Sequence, residues 1–214
     1  MSELDLMALT PERRQGLLSQ LIVPRPIAMV TTSNVDGSTN VAPYSYFMPM
    51  MGDPPRIALT IGSARVVDGQ PKHTWTNIER TGEFVVNQTT SALADHIEAT
   101  AREYPAEVSE LEITGWTTTA SRVVSPPRLV ESPAQLECRV SQVVDVPRAS
   151  DGTVGCHLVI ADVVWVRVDD RLESQPGRID PTQVDAVGRM GFPWFIVGAG
   201  RDMFQQERVP YTDR

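Results

Sequence analysis

Two long, strongly apolar segments in the second half of the chain constrain its fold more than any other feature. Residues 135–146 and 154–168 are rich in the β-branched residues that are typical of strands. Asp151-Gly152 lies between them and predicts a turn, because glycine tolerates positive φ. Both alternating sets of the second segment are apolar, so we expect this strand to be buried on both faces. The two sets are Leu158, Ile160, Val164, Val166 and Val168, and Val159, Ala161, Val163 and Trp165.

Shorter segments upstream predict further strands and small helices. Thr10 and Pro11 have the pattern of a helix N-cap followed by proline in the first turn. A second helix is predicted from an N-cap at Thr74 to Gly82, and another from Ser91. We therefore predict one mainly β domain with small helices and mostly antiparallel strands. The remaining strands are predicted at residues 27–33, 38–42, 56–61 and 83–88, with a turn at Asn34-Val35-Asp36-Gly37 between the first two.

Charge and composition argue against several classes of function. The net charge of the 214 residues is −8, and without a basic patch such a chain repels nucleic acid. Neither a signal peptide nor an apolar run long enough to span a membrane is evident, so we expect a cytoplasmic protein without membrane partners. Cys138 and Cys156 lack CxxC spacing and are expected to be free thiols. The histidines, His73, His96 and His157, are too scattered to indicate a metal site.

The first candidate site joins the end of one predicted strand to the return strand after the turn. Thr31, Thr32 and Ser33 could offer hydroxyl donors to a phosphate or a ribityl chain. Asn40 and the run Ala42-Pro43-Tyr44-Ser45 follow on the return, where we expect Pro43 to end regular pairing and to free backbone groups for a ligand. The alternative is that these are the ordinary polar residues of an exposed strand.

The second candidate is an anion site at the start of a predicted helix. Lys72 would supply a positive charge, Thr74 a capping hydroxyl and the helix dipole a favourable field. The alternative is that Thr74 only caps the helix and Lys72 is solvated.

Several short motifs along the chain keep a recognisable order and spacing. They are Val23-Pro24-Arg25-Pro26-Ile27-Ala28, Asn40-Val41-Ala42-Pro43-Tyr44-Ser45-Tyr46-Phe47, Asp53-Pro54-Pro55, Lys72-His73-Thr74, Asn77-Ile78, Gly82-Glu83-Phe84-Val85-Val86-Asn87, Ser121-Arg122-Val123-Val124, Pro126-Pro127, Glu131-Ser132-Pro133, Glu137-Cys138, Gly177-Arg178-Ile179-Asp180-Pro181 and Gly188-Arg189. In this order they resemble the flavin reductase-like family, which includes flavoredoxin. The resemblance covers about residues 20–195. It implies an N-terminal helical extension over 1–20, one domain over 21–200 and a C-terminal tail over 201–214.

The resemblance implies a single-domain FMN-binding split barrel that forms a homodimer. Thr31, Thr32 and Ser33 would lie along the ribityl phosphate, and Lys72 and Thr74 would assist in binding the phosphate. Asn40 and residues 42–45 would meet the isoalloxazine edge, largely through backbone groups. NADH or NADPH would deliver a hydride to the flavin, which carries the chemistry, so no side chain is assigned as an acid, base or nucleophile. Reduced flavin or electrons would then pass to an oxygenase or another acceptor protein.

Three departures from the family pattern leave other functions open. His73 stands where members commonly have aspartate, and Met50-Met51-Gly52 stands where serines are usual, which would make the pocket less polar. His157 lies near the position of a histidine thought to meet the nicotinamide in some members, but is expected on the opposite face. The alternatives are a flavin-carrying electron-transfer protein without strong NAD(P)H activity, and a specialised flavoenzyme acting on a small organic substrate.

Overall fold

A curled antiparallel sheet of seven strands forms the body of the protein in a computed structural model, which describes residues 3–105, 107–148, 150–198, 203, 204 and 206. The order of strands in this sheet is β3-β2-β6-β9-β10-β5-β4. The strands are β1 (Arg25–Pro26), β2 (Ala28–Ser33), β3 (Thr39–Tyr44), β4 (Phe47–Met50), β5 (Arg56–Gly62), β6 (Glu83–Gln88), β7 (Thr118–Thr119), β8 (Arg128–Leu129), β9 (Ala134–Pro147), β10 (Val154–Val168), β11 (Glu173–Gln175), β12 (Arg178–Ile179), β13 (Val187–Gly191) and β14 (Trp194–Val197). The α-helices are α1 (Pro11–Leu21), α2 (His73–Thr81), α3 (Ile97–Thr100) and α4 (Glu110–Thr114), and 3₁₀ turns span Leu6–Ala8, Ser91–His96 and Asp170–Leu172.

The long hairpin of β9 and β10 confirms the two strands predicted from the apolar segments, but burial on both faces is wrong for the end of β10. Val159 and Ala161 are fully buried, whereas Trp165 and Val166 are 44% and 50% exposed. The pairing of β10 with β5 stops at Asp162, so the residues that follow are paired with β9 alone. Among the described residues no strand flanks them on that side, and their apolar side chains remain exposed.

The β2–β3 hairpin forms where the sequence predicts it, but Pro43 does not end the pairing. Gly37 adopts φ 86° in the turn, and Pro43 lies opposite Met29 in the ladder. The missing N–H of Pro43 is tolerated because β3 is the edge strand of the sheet. Part of this outer edge is covered by α4, because the Val41 N–H donates to Glu110 Oε2 at 3.0 Å and the Thr39 carbonyl accepts from Ser109 Oγ at 3.1 Å. The edge around Pro43 lines a cleft.

The helices follow the predictions in part. Helix α1 begins after Thr10, whose Oγ1 accepts from the Arg13 N–H at 3.4 Å. Helix α2 ends at Gly82 as predicted, but its N-cap is Lys72 and not Thr74, which lies inside the first turn. The helix predicted from Ser91 is a 3₁₀ turn followed by the short α3. Within the described residues, the helices are too short or too polar to cross a membrane.

Apolar clusters lie on both faces of β2. Val30 packs into the cluster inside the barrel, together with Phe84 and Trp75 of α2. Met29, the preceding residue of β2, faces a second cluster with Leu93 and other residues. Alternation along β2 thus sends neighbouring side chains into two separate cores. Most of the predicted tail, 201–214, lies outside the described residues.

Candidate functional site

A cleft opens between the outer edge of β3 and the N-terminus of α2. One wall is formed by β3, another by α2 with the loop before it, and a third by the segment after α3. We call it the Arg65 cleft, and its lining consists of Asn40, Ala42, Pro43, Tyr44, Arg65, Lys72, His73, Thr74, Thr100, Ala101, Arg102, Glu103, Tyr104 and Glu110.

Asn40 connects the β2–β3 hairpin to the first turn of α2. Its Nδ2 donates to Thr74 Oγ1 at 2.9 Å and to Thr32 Oγ1 at 3.2 Å. Asn77 of α2 also donates to Thr32 Oγ1, at 3.0 Å. All four side chains are buried, so this network is shielded from water and fixes where α2 begins relative to β3.

Two cations and an uncapped helix terminus meet at one end of the cleft. Arg65 Nη2 donates to the Tyr104 carbonyl at 3.0 Å, while its Nε is buried without a hydrogen-bond partner among the described residues. Lys72 is the N-cap of α2 and makes no side-chain capping bond, so the first-turn N–H groups are not satisfied by that residue. Cations beside free helix N–H groups form the kind of site that binds phosphate.

Two carboxylates moderate the charge at this end of the cleft: Asp68, whose Oδ2 lies 3.6 Å from Arg65 Nη1, and Glu103. Its Oε1 accepts from Lys72 Nζ at 2.7 Å, and its Oε2 accepts from the N–H groups of Val66 and Val67 at 2.7 and 3.0 Å. Burial raises the pKa of Glu103, but hydrogen bonds from Lys72 and from these backbone groups outweigh it and lower the pKa below its ordinary value. Glu103 is therefore ionised near neutral pH and partly neutralises Lys72.

The structure brings together some of the residues predicted for the site and separates others. Asn40, Ala42, Pro43, Tyr44, Lys72 and Thr74 line the Arg65 cleft, and Ser45 lines an adjoining cleft. The predicted hydroxyls of β2 lie elsewhere. Thr31 Oγ1 donates to the Pro127 carbonyl at 2.6 Å, Thr32 lies behind Asn40, and the Ser33 carbonyl accepts from Arg80. None of these three residues lines the Arg65 cleft, and their predicted contacts with the flavin stay a prediction.

Comparison with known proteins identifies the family. The family model of the flavin reductase like domain matches residues 19–184. A Deinococcus radiodurans protein described as uncharacterized is 34% identical, over 97% of this chain and 90% of its own length. The chain belongs to the flavin reductase-like family.

Solved structures agree with this assignment. Nitrilotriacetate monooxygenase component B from Bacillus cereus is 28% identical and has a TM-score of 0.86, with 95% of this chain and 98% of that chain covered. A Shewanella frigidimarina protein with a split-barrel domain is 24% identical and has a TM-score of 0.77, with 97% and 96% covered. The fold of this flavin reductase-like protein is the split barrel, as predicted.

Arg65 is one of the residues lining the Arg65 cleft that sequence reasoning missed. It lies in the loop between β5 and α2, where no periodicity or capping pattern marks it. Its contacts with Tyr104 and His73 form only when this loop folds against the segment after α3. A lone arginine in a polar loop is usually solvated, so the sequence carried no signal for it.

Of the three departures from the flavin reductase-like pattern, two lie outside the Arg65 cleft and one lies in it. Met50 and Gly52 line a separate surface beside Trp165, and Met51 is exposed, so none of the three lies in the Arg65 cleft. His157 stacks on Trp75 with 3.7 Å between ring centroids, and its Nδ1 lies 2.7 Å from Asp145 Oδ1. Only His73 lies in the cleft.

His73 is held as a neutral hydrogen-bond acceptor. Its Nε2 lies 2.8 Å from Arg65 Nη1. Burial, and then the charge of Arg65, lower the pKa of His73 below its ordinary value of 6.5. Neutral imidazole can accept from the guanidinium as the family's usual aspartate would, but it adds no negative charge near a bound phosphate.

The lowered pKa of His73 predicts a pH-dependent contribution to stability. Between the folded-state pKa and 6.5, the unfolded chain binds more protons at this residue than the folded protein does. The contribution of His73 to the free energy of unfolding is therefore fully present above pH 6.5. It is lost as the pH falls from 6.5 through the folded-state pKa. We expect urea titrations at several pH values to show a steeper loss of stability in the wild type than in His73→Gln. Parallel pH profiles for the two proteins would contradict this assignment.

Proposed function

We propose that this protein binds FMN in the Arg65 cleft and reduces it with NADH or NADPH. The observation that carries the proposal is the continuity of a cationic end, whose cations pair with Asp68 and Glu103, with the part of the β3 edge around Pro43. Arg65, Lys72 and the first turn of α2 form the cationic end, and β3 lacks a strand on its outer side in the described part of the chain. FMN has the two complementary features: an anionic phosphate tail that cations bind, and a ring whose polar edges can form hydrogen bonds with a strand edge.

The residues of the cleft suit the parts of FMN in order. Arg65, Lys72 and the first-turn N–H groups of α2 would hold the phosphate. Asn40 and Thr74 line the same cleft and would lie near the ribityl chain. Backbone groups of residues 42–45 would meet the isoalloxazine edge. Burial raises the pKa of Tyr44, so its phenol stays protonated and neutral beside the ring.

Binding and orientation are the roles that we assign to the protein. Bound flavin supplies the capacity to accept a hydride and to pass electrons on. The buried network of Asn40, Thr32 and Asn77 would fix the position of the tail, and the β3 edge would fix the plane of the ring. No side chain of the cleft is needed as an acid, base or nucleophile.

Reduced flavin would serve a partner. One similar structure is component B of a monooxygenase, which supports transfer of reduced flavin to an oxygenase. A homodimer is part of the proposal, because the β9–β10 hairpin exposes an apolar surface that a second copy could cover. Its exposed members are Val143, Val144, Val146, Val164, Trp165 and Val166.

The test of the proposed function is reduction of bound flavin without oxygen. FMN is added to the purified protein, and NADH or NADPH is then mixed in while the flavin absorbance is followed. Rapid bleaching at rates above those of free FMN is the expected result. FMN binding without bleaching by either nucleotide would favour the flavin-carrying electron-transfer protein, and failure to bind FMN would refute the proposal.

Lys72 is the only lysine of the chain, which makes its part in the site directly measurable. We expect Lys72→Ala to weaken FMN binding about 3- to 10-fold, a modest effect because Glu103 already neutralises part of the charge. FMN should also slow acetylation of Lys72, measured by mass spectrometry of the single lysine-containing peptide. Equal acetylation with and without FMN, together with unchanged affinity of the variant, would remove Lys72 from the site.

A further inference from the structure

A second cleft adjoins the Arg65 cleft, and the two share Pro43 and Ala101. We call it the Arg25 cleft. Ser45 lines it, so it opens at the strand edge where the proposed function places the flavin ring. Helix α1 contributes Gln15 and Ser19, and β13 contributes Arg189. A reactant in this cleft would lie next to the ring and away from the phosphate end.

Arg25 is buried at the bottom of this cleft with unused donor capacity. It is 8% exposed, and its Nη1 donates to the carbonyls of Ser19 and, at 2.8 Å, of Ile22. Its Nε is buried and has no hydrogen-bond partner among the residues that the structure describes. A buried guanidinium with an unsatisfied N–H is costly unless a ligand accepts from it.

Arg189 brings a second guanidinium to the same cleft. It lies directly opposite Arg25 in the β1–β13 pair, an arrangement in which like charges repel. Its Nη1 donates to Glu98 Oε1, so one carboxylate stands against two cations. The cleft therefore keeps an excess of one positive charge among these three side chains, which favours an anion.

Aromatic rings give the mouth of the cleft a flat apolar character. The Arg25 guanidinium lies 5.4 Å from the centroid of Tyr46, and that of Arg189 lies 5.7 Å from Phe192. Phe192 is 74% exposed, so its ring is free to cover a ligand. Planar guanidinium groups bind carboxylates through paired N–H donors, and the adjoining rings suit a planar apolar body.

We propose that the Arg25 cleft binds the carboxylate of a small aromatic acid, which thereby lies against the flavin. This rests on the proposed function for the position of the ring. Arg25 and Arg189 hold the carboxylate, and Tyr46 and Phe192 flank the aromatic body.

Benzoate and its uncharged analogue benzamide are the probes. FMN binding is measured first by quenching of flavin fluorescence, and benzoate is then titrated into the FMN-loaded protein while the flavin spectrum is followed. Calorimetry with flavin-free protein measures benzoate binding separately. We expect saturable spectral changes with benzoate and at least about 10-fold weaker binding of benzamide, since only the carboxylate can accept charge-assisted hydrogen bonds from the arginines.

The variants Arg25→Lys and Arg189→Gln locate the site. Each should weaken benzoate binding about 10- to 100-fold and leave FMN affinity within about 3-fold, whereas the surface control Arg139→Gln should change neither. Arg25→Lys keeps a positive charge beside the carbonyls of Ser19 and Ile22. Arg189→Gln tests the site without altering the hydrogen bonds from Arg25 to these two carbonyls. Circular dichroism confirms that each variant folds.

Several results would overturn the proposal. FMN binding with no response to benzoate in either assay would refute it while leaving the proposed function intact. Equal binding of benzamide would refute a carboxylate site. A loss of FMN affinity that matches the loss of benzoate affinity would assign the arginines to the flavin instead. Binding of ADP in place of benzoate would assign them to the nicotinamide nucleotide. If FMN does not bind at all, the proposed function fails, and calorimetry alone decides whether the anion site exists.

Discussion

Replacing Arg65 with alanine is expected to weaken FMN binding about 10- to 100-fold, the largest effect on affinity of any single substitution in the cleft. The guanidinium is mostly buried, and its Nε has no partner among the described residues. A phosphate would satisfy this donor, and the charge-assisted bond would be lost in the variant. The measurement is quenching of flavin fluorescence on titration with protein.

Two comparisons separate this role from a structural one. Arg65→Lys should recover part of the affinity, because it restores the charge but not the planar donors. Riboflavin, which lacks the phosphate, should bind the wild type and Arg65→Ala with similar affinity. If riboflavin and FMN lost affinity equally in Arg65→Ala, the arginine would be shaping the loop and not binding the phosphate.

Replacing Glu137 with alanine is expected to lower the free energy of unfolding by about 3 kcal/mol. This side chain is fully buried on β9, and its two oxygens accept from the N–H groups of Arg122 and Val123, each at 2.7 Å. Arg128 Nε lies 3.8 Å from the same carboxylate. Alanine would leave these donors without their acceptor and release the segment around residues 121–128 from the barrel.

Urea denaturation followed by tryptophan fluorescence would measure this loss. Glu79→Ala on the exposed face of α2 is the matched control and should change stability by no more than about 0.5 kcal/mol. Glu137 does not line the Arg65 cleft, so FMN affinity under native conditions should be unchanged. An unchanged urea midpoint would mean that the segment satisfies its donors with water and contributes little to stability.

The position of most strands could be predicted from the sequence because strand formation leaves a local pattern. The apolar alternation of β5 and β10 and the turn at Asp36-Gly37 all depend on neighbours within a few residues. The order of the short motifs is likewise a property of the sequence alone, and it indicates both the family and its split barrel. Pro43 was misjudged because its effect depends on whether β3 lies at the edge or in the middle of the sheet.

The site could be predicted only in part. Asn40, Lys72 and the residues of the β3 edge are found on one cleft, but Thr31 and Thr32 are buried behind it. Alternation shows which residues of a strand share a face, but it does not show what covers each face. Thr31 meets the segment near Pro127, a contact between residues far apart in the chain.

The sequence specified most of the strands, the family and the residues of β3 that we propose for the flavin, but not that β3 lies at the edge of the sheet. The tertiary structure alone decided which charges surround that edge. Arg65 reaches Tyr104, and Lys72 meets Glu103, only because distant loops converge beside α2. Arg25 lies opposite Arg189 only because β1 pairs with β13. Local patterns follow from residues a few positions apart, whereas the electrostatics of a cleft depend on distances that arise only when the whole chain has folded.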